Sequence, residues 1–259
     1  MTRRSPSAAH RVVLVVGIGP GDASMVTIQA LAALREVDAV IVFDKGERAT
    51  ELQDLRHTVL DRAREGRPCR VIALDDERRD PGRPYRDAVH DWHRSRVEAL
   101  EQALLDEVGD GERVAMLVWG DPSLYDSTLR LLNELRSRGR VEVDVEVVPG
   151  VSSLQLLAAR HAVPLHEVGG SLLITTGRRL REGLPAGIDD VVVFLDRECS
   201  FTVLRGDGWH IWWGACLGMP EEQLVAGPLD EVADTIVSLR TALRERLGWV
   251  FDLYLLRRR

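Results

Sequence analysis

A short apolar run that ends in glycines constrains the fold of this chain more than any other feature. In the segment RVVLVVGIGPGD, Val12 to Val16 form a β-branched run, which is typical of a strand buried on both faces. The glycines break that strand, a helix is predicted over about 25–36, and a second strand over 39–43. Strand, helix and strand in this order form a βαβ unit, which predicts a parallel sheet.

The same alternation continues along the chain and then restarts. Further strands are predicted at 69–74, 113–118 and 141–148 and, after the segment AVPLHEVGG, at 172–176, 191–195, 210–213 and 249–256. We therefore expect an α/β protein of two α/β domains, the first with a mainly parallel sheet and the second with a mixed sheet. The expected divisions are a disordered tail at 1–10, an N-terminal domain at 11–168 and a C-terminal domain at 169–259.

The charge of the chain limits its expected partners. The 259 residues carry 34 Lys and Arg against 41 Asp and Glu, a formal net charge of −7. Because nucleic-acid binding needs surplus cations, this balance argues against a nucleic-acid partner. The basic residues are almost all Arg, with Lys45 the one Lys, and Arg suits bidentate capture of carboxylates. No apolar run reaches the roughly 18 residues of a membrane span, so no membrane partner is expected.

Cysteine usage indicates the compartment. Cys69, Cys199 and Cys216 are odd in number, widely spaced and without a C-x-x-C pair, which argues against a disulfide framework and a structural metal site. We therefore expect a reducing compartment, a cytoplasmic location and no metal. Cys199 and Cys216 are expected to be core or surface thiols without a catalytic role.

Three loops rich in Gly or Pro follow three of the predicted parallel strands. They are GIGPGD at 17–22, GDPSLY at 120–125 and PGVSS at 149–153. Ligands of an open parallel sheet bind beyond the carboxyl ends of its strands, so these loops predict one binding site. Each loop alone has a purely structural alternative: a tight turn, an Asp-Pro turn and a helix cap.

The loops differ in the ligand chemistry that they favour. GIGPGD together with Asp44 resembles a dinucleotide site, but its third glycine comes one residue early and Pro20 removes an N–H that a pyrophosphate would use. Asp121 would repel phosphates and attract an ammonium or a sulfonium. Ser152 and Ser153 can cap the next helix or contact a ligand.

The segments GIGPGDASMVTIQA, WGDPSLYDST and VVPGVSSLQLLAARHAVPL resemble, in this order, the signatures of the tetrapyrrole methylase family of S-adenosylmethionine-dependent methyltransferases. The resemblance implies two α/β domains with a cofactor cleft between them, S-adenosylmethionine as methyl donor and S-adenosylhomocysteine as its product. Segments after Ser171 resemble a branch of aerobic cobalamin synthesis. That branch methylates precorrin-5 at the ring carbon C-1 and releases an acetyl group as acetate.

The resemblance also implies roles for individual residues. Pro20 would border the cofactor, and the loop of Gly120, Asp121, Pro122 and Tyr125 would hold its methionine part. The remaining implied contacts, nearer the adenosine or at the helix cap, are Ser152, Ser153, Leu195, Gly214 and Ala215. Asp126 departs from the pattern, since many relatives have Gly there. The contacts that the family makes around Tyr125 therefore do not carry over directly to this chain.

The implied reaction has two parts with different needs. Methyl transfer from a sulfonium is an in-line displacement, which needs alignment more than a strong nucleophile. Loss of the acetyl group would be helped by a general base, for which Asp44, Tyr125, His161 and His166 are candidates. An alternative needs no base, because the electron-rich macrocycle can expel the acyl group to water.

A small-molecule tetrapyrrole with many carboxylates requires local cations. The candidates in the predicted loop after residue 176 are Arg178, Arg179 and Arg181, and Arg160 and Lys45 are further ones. Relatives are commonly homodimers, so the resemblance implies a homodimer. The competing functions are another tetrapyrrole methylase acting at a different ring position, a nicotinamide-dependent reductase, and a non-catalytic binding protein.

Overall fold

The computed structural model describes residues 10–44, 50–76 and 85–258. Residues 1–9 of the predicted tail and Lys45 lie outside the described residues. His10, the last residue of that predicted tail, is fixed, because its backbone N–H donates to Asp110 (2.7 Å) and its ring Nε2 lies 2.7 Å from Asp144. No helix in the described part of the chain is both long and apolar enough to cross a membrane.

Contacts divide the chain into two compact units, Met1–Val151 and Ser152–Arg259, called here the N-terminal and C-terminal units. The division falls earlier than the boundary expected after residue 168. The reason is the helix Ser153–His161, which packs on strands of the second sheet instead of closing the first domain.

The sheet of the N-terminal unit is parallel throughout, as predicted. Its strands lie in the order β3-β2-β4-β1-β5, and every neighbouring pair is parallel. The strands are β1 (Arg11–Gly17), β2 (Ala39–Asp44), β3 (Arg70–Asp75), β4 (Arg113–Val118) and β5 (Val143–Val148). All their carboxyl ends therefore lie at one edge of the sheet.

Helices cover both faces of this sheet. They are α1 (Ile28–Arg35), α2 (Thr50–Arg64), α3 (Tyr85–Asp106) and α4 (Thr128–Arg138), with a short 3-10 helix at Ala23–Met25. Leu14 and Val16 of β1 pack with α1 and α2, whereas Val13 and Val15 pack with α3 and α4. Burial on both faces explains why β1 is a continuous apolar run.

The C-terminal unit has a mixed sheet, also as predicted. Its order is β6-β7-β10-β8-β9, in which only β6 and β7 are parallel neighbours. The strands are β6 (Leu172–Thr176), β7 (Asp190–Phe194), β8 (Trp209–Ala215), β9 (Gln223–Pro228) and β10 (Asp252–Arg258). The helices are α5 (Ser153–His161), α6 (Gly177–Glu182) and α7 (Leu229–Leu247), with a 3-10 helix at Ser200–Leu204. Strand β9 was not predicted.

Candidate functional site

The three predicted loops meet at the carboxyl edge of the parallel sheet. A Cβ added to Gly17 would lie 2.6 Å from the nitrogen of Gly150 and 2.7 Å from the oxygen of Gly120. One added to Gly150 would lie 2.3 Å from the oxygen of Gly120. The loops therefore approach backbone to backbone, and glycine is needed at these positions because no side chain fits between them.

Hydrogen bonds tie the first loop to the second. Gly120 donates its N–H to the Gly19 oxygen (2.8 Å) and Gly19 donates back (3.4 Å), with φ of +73° and +83° at these glycines. Ile18 donates to the Val118 oxygen (3.0 Å), and the Trp119 indole N–H donates to the carbonyl of Pro20. The N–H groups of Ile18 and Gly19 are thus used within the protein, and Pro20 has none to offer a pyrophosphate.

The helix after this loop also differs from the predicted one. Asp22 accepts from the N–H of Ser24 (2.7 Å) and caps only the short 3-10 helix. Helix α1 begins later, at Ile28, with Thr27 as its cap. An α-helix N-terminus therefore does not follow the glycines directly, which is a second argument against a dinucleotide site.

Asp121 joins the second loop to the third. One carboxylate oxygen accepts from the N–H of Gly150 (2.9 Å), and the other accepts from the N–H (2.9 Å) and the hydroxyl of Ser123. Burial acts to raise the pKa of Asp121, but the hydrogen bonds from Ser123 and Gly150 outweigh it, so this pKa lies below its ordinary value. The negatively charged carboxylate of Asp121 thus holds the second and third loops together.

Pro122 is buried at the start of the turn that leads to Tyr125. Tyr125 has φ of +52°, and 42% of it is exposed. Burial raises the pKa of its phenol, so Tyr125 is protonated at neutral pH and suits donation of a hydrogen bond better than acceptance of a proton. Asp126 accepts from the N–H of Thr128 (2.6 Å), so this departure from the family pattern satisfies the first N–H of α4.

Ser152 is used as the cap of α5, which is one of its two predicted roles. Its hydroxyl accepts from the N–H of Leu154 (3.2 Å), and its own N–H donates to the side chain of Gln155 (3.1 Å), which forms a capping box. Ser152 is 3% exposed. Ser153 is the first residue of α5 and is half-buried.

The candidate bases differ in how their side chains are held. The Nε2 of His161 lies 3.0 Å from the Trp213 carbonyl oxygen. Because a carbonyl only accepts, that nitrogen carries a proton and the other ring nitrogen alone can act as a base. His166 likewise donates from Nδ1 to the Glu167 carbonyl (2.9 Å). Asp44 ends β2, and its side chain lies outside the described residues.

Leu195, Gly214 and Ala215 lie at one edge of the mixed sheet, because Val193 of β7 and Trp213 of β8 both pair with Tyr254 of β10. Leu195 is 60% exposed and has φ of +53°. Ala215 is 0% exposed and packs in the core. Gly214 is closely packed too, since an added Cβ would lie 2.8 Å from Leu157 and 2.8 Å from Leu217. Of the three residues, only Leu195 presents its side chain to solvent.

The arginines after β6 lie on a helix and not on the predicted loop, because α6 begins at Gly177, directly after the strand. Arg179 pairs with Glu182 (2.8 Å), and Arg181 pairs with Glu198. Arg178 is exposed and has no ion-pair partner within the described residues. Arg160, outside this helix, pairs with Glu222 (2.7 Å).

Burial raises the pKa of both Cys199 and Cys216 to about 11. The thiolate is the nucleophilic form of cysteine, so neither residue is activated at neutral pH. Cys69 is shifted in the same direction, again chiefly by burial.

The sequence analysis missed a buried network beneath Leu195. The carboxylate of Asp196, which is 4% exposed, accepts from the hydroxyl of Tyr254 (2.6 Å) and from the N–H (2.6 Å) and hydroxyl (2.8 Å) of Ser200. A Cβ added to Gly177 would lie 2.4 Å from a carboxylate oxygen of Asp196, which explains the glycine at the start of α6.

Arg240 of α7 links Asp196 to a second buried carboxylate. Its guanidinium donates to the backbone oxygen of Asp196 (2.8 Å) and to the side chain of Asp252 (2.9 Å), which also accepts from the indole N–H of Trp213 (3.0 Å). Burial raises the pKa of Asp252, although Arg240 and Trp213 act against it. The partners lie far apart along the chain, so no local pattern could have revealed them.

A parallel sheet with three converging loops, followed by a mixed sheet, is the architecture predicted from the sequence. The sequence model of the Tetrapyrrole (Corrin/Porphyrin) Methylases matches residues 12–233, and the chain belongs to this family. It is 39% identical over 252 residues to a precorrin-6A synthase [deacetylating] of Sinorhizobium sp., covering 97% of each chain.

Solved structures agree with this assignment. A cobalamin synthesis related protein (CobF) from Corynebacterium diphtheriae has a TM-score of 0.83 and 34% identity, with 96% of this chain and 99% of that chain covered. The uroporphyrin-III C-methyltransferase of Thermus thermophilus, solved with S-adenosylhomocysteine, has a TM-score of 0.56 and 23% identity, with 94% and 96% covered. The second likeness concerns the fold alone.

Proposed function

We propose that this chain is the S-adenosylmethionine-dependent methyltransferase that converts precorrin-5 to precorrin-6A, with methylation at C-1 and release of the acetyl group as acetate. The observation that carries the proposal is the identity to the Sinorhizobium precorrin-6A synthase over nearly the whole of both chains. The converging loops give the proposal a site, because they are held by the glycines and the carboxylate that the family resemblance singles out.

The residues at the sheet edge fit a cofactor without phosphates. The N–H groups of Ile18 and Gly19 are used within the protein, and Asp121 keeps its negative charge. That combination disfavours a nicotinamide dinucleotide and suits a sulfonium with a short amino-acid tail. The proposed cofactor contacts are Pro20, Gly120, Asp121, Pro122, Tyr125, Ser152, Ser153, Leu195, Gly214 and Ala215.

The surroundings of some of these residues limit how they could contact the cofactor. Ala215 and Gly214 are buried among apolar side chains, so their contact would be through backbone groups. The Ser152 hydroxyl accepts from the N–H of Leu154 and donates its proton to the side chain of Gln155, which leaves one lone pair of that oxygen to accept from a second partner. Leu195 would pack its exposed side chain against the adenine.

Methyl transfer needs little chemistry from the protein. S-adenosylmethionine, when bound, supplies a methyl group that is already activated. The loops braced by Asp121 would fix the position of the donor, and the protein would align the ring carbon with it. Alignment of two reactants is worth about 7–11 kcal/mol in favourable cases.

Deacetylation would add water to the ketone carbon, pass a proton from that water to a base, and return the carbon–carbon bonding pair to the macrocycle as acetate leaves. Tyr125 is protonated, so we assign it donation of a hydrogen bond to the ketone oxygen. His161 could act only through Nδ1. Asp44, at the carboxyl end of β2, remains our candidate base.

The substrate is a small-molecule tetrapyrrole with carboxylate side chains. We propose Arg178 and Arg179 as substrate-binding residues, with Arg178 the stronger candidate because Arg179 is paired with Glu182. We further propose a cytoplasmic homodimer without nucleic-acid or membrane partners. An Arg178→Ala variant should raise the KM for the substrate about tenfold and leave cofactor affinity unchanged.

Product mass and cofactor calorimetry test the proposal. The product should gain one methyl group and lose one acetyl group, and methylation with the acetyl group retained would assign another ring position. The protein should bind S-adenosylhomocysteine and not NADH, and the reverse would replace the methyltransferase with a reductase. Asp121→Ala should weaken binding of S-adenosylhomocysteine, because the second and third loops lose their brace.

A further inference from the structure

The parallel sheet of the N-terminal unit has an incomplete ladder at its carboxyl edge. Strands β2 and β4 pair only at Ala39 with Val114 and at Val40 with Ala115, although both strands continue toward that edge. The Val118 oxygen accepts from Ile18 on the β1 side. Because successive carbonyls of a strand point in opposite directions, the Leu117 oxygen faces β2, where the ladder has ended.

Arg56 of α2 reaches this position. Its guanidinium donates to the Leu117 oxygen (3.2 Å). The Arg56 side chain is half-buried, and its Nε is buried with no hydrogen-bond partner in the described part of the chain. Leu117 lies just before Trp119 and Gly120, so Arg56 is adjacent to the second loop.

A second arginine on the same helix shows what a purely structural role looks like. The guanidinium of Arg64 donates to four carbonyl oxygens at the opposite edge of the sheet, those of Leu34, Arg35, Val37 and Pro68. Its Nε is also without a partner among the described residues, so that property does not distinguish the two. Within the described ranges, the guanidinium of Arg56 has one hydrogen-bond acceptor, whereas that of Arg64 has four.

Among the described residues, charges of both signs act on Arg56. Burial lowers the pKa of Arg56, the Asp126 carboxylate acts against this, and the charge of Arg96 reinforces it. Arg96 lies 3.8 Å from the ring centre of Phe43 and pairs with Asp76 (3.2 Å). A desolvated guanidinium next to another cation is stabilised by a carboxylate that accepts from two of its N–H groups.

We propose that Arg56 binds a carboxylate of the substrate, one of the acetate or propionate side chains on the tetrapyrrole rim, at the carboxyl edge between β2 and β4. This inference rests on the proposed function for the identity of the substrate. It adds to the arginines of α6 a cation in the N-terminal unit, beside the loop to which the cofactor contacts are assigned. Sequence reasoning passed over Arg56 because α2 is a polar helix without a motif.

Two variants separate charge recognition from structure. Arg56→Met removes both the charge and the N–H donors, whereas Arg56→Gln removes the charge and keeps N–H donors on a shorter side chain. Arg70→Met is the matched control, because Arg70 begins β3 at the opposite edge and its partner Glu112 (2.7 Å) is also partly exposed. The probes are uroporphyrin III, its methyl ester, which lacks the negative charges, and S-adenosylhomocysteine.

Fluorescence titration should show that both Arg56 variants bind uroporphyrin III about tenfold or more weakly than wild type. Arg70→Met should bind it normally, the ester should not distinguish the proteins, and affinity for S-adenosylhomocysteine should be unchanged by calorimetry. Normal uroporphyrin binding by Arg56→Gln would reduce Arg56 to a structural donor and overturn the proposal. An equal loss of uroporphyrin III affinity in Arg70→Met would also overturn the proposal, because the net charge of the protein would then explain the effect. Failure of the wild type to bind S-adenosylhomocysteine would instead contradict the proposed function.

Discussion

The sheet edges that carry the proposed cofactor contacts in the two units are built in different ways. In the N-terminal unit, three loops approach through glycine backbones, and the partly exposed carboxylate of Asp121 braces the second loop against the third. In the C-terminal unit, the turn after β7 rests on the buried side chains of Asp196, Arg240 and Asp252. Steric contact between backbones therefore limits which residues the first edge can hold. At the second edge, the limit is that buried charges must compensate one another.

This difference predicts opposite sensitivities. At the N-terminal edge, one added methyl group should be more harmful than the loss of a charge, because backbone atoms already touch there. At the C-terminal edge, removal of one charge should be more harmful than a change of shape, because the remaining charge is left buried without compensation.

The largest effect is expected for Arg240→Met. This variant leaves the Asp252 carboxylate buried without its cation, which should lower the free energy of unfolding by about 3–5 kcal/mol in urea titrations. Arg205→Met is the control, since Arg205 pairs in an exposed position with Asp234, which lies on α7 as Arg240 does, and its removal should change stability little. Equal losses in the two variants would remove the distinction between the two edges.

The next effect is expected for Gly150→Ala. The new Cβ would lie 2.3 Å from the Gly120 oxygen, so the loops must move apart, at a cost of about 3 kcal/mol and with loss of S-adenosylhomocysteine binding. Gly109→Ala is the control, because its Cβ would only reach the side chain of Glu112, at 3.6 Å. If Gly150→Ala binds S-adenosylhomocysteine as tightly as Gly109→Ala, the backbone approach does not shape the site.

The same contrast explains what the sequence could predict. The parallel sheet and the N-terminal loops depend on local signals, such as the β-branched run after Arg11 and the glycines that end it. The C-terminal edge depends on partners such as Asp196 and Tyr254, which lie 58 residues apart, so no window of sequence contains both. The division by contacts falls before the expected boundary for a related reason, because the packing of α5 on β8, β9 and β10 is not a local property.

A smaller effect is expected for Leu195→Gly, which separates binding from stability. Relief of the left-handed backbone is worth roughly 1 kcal/mol and is offset by the greater entropy of glycine in the unfolded chain, about 0.5–1 kcal/mol. Stability should therefore hardly change, whereas S-adenosylhomocysteine affinity should fall several-fold with loss of the proposed adenine contact. Glu65→Gly, at φ of +55°, is the control and should change neither quantity. Unchanged affinity in Leu195→Gly would remove Leu195 from the proposed site.

The smallest effect concerns the pH dependence given by Asp121. Its pKa is lowered in the folded protein, so its ionised form stabilises the fold above the unfolded pKa, near 3.8, and this stabilisation is lost as pH falls through the folded pKa. Asp121→Asn cannot lose a proton, and its amide N–H₂ would face either Gly150 or Ser123. The stability difference between wild type and variant, measured by urea unfolding from about pH 6 to about pH 3, should narrow as pH falls. A difference that stays constant over this range would mean that Asp121 braces the loops by shape alone, and the N-terminal edge would then contain no charge of structural importance.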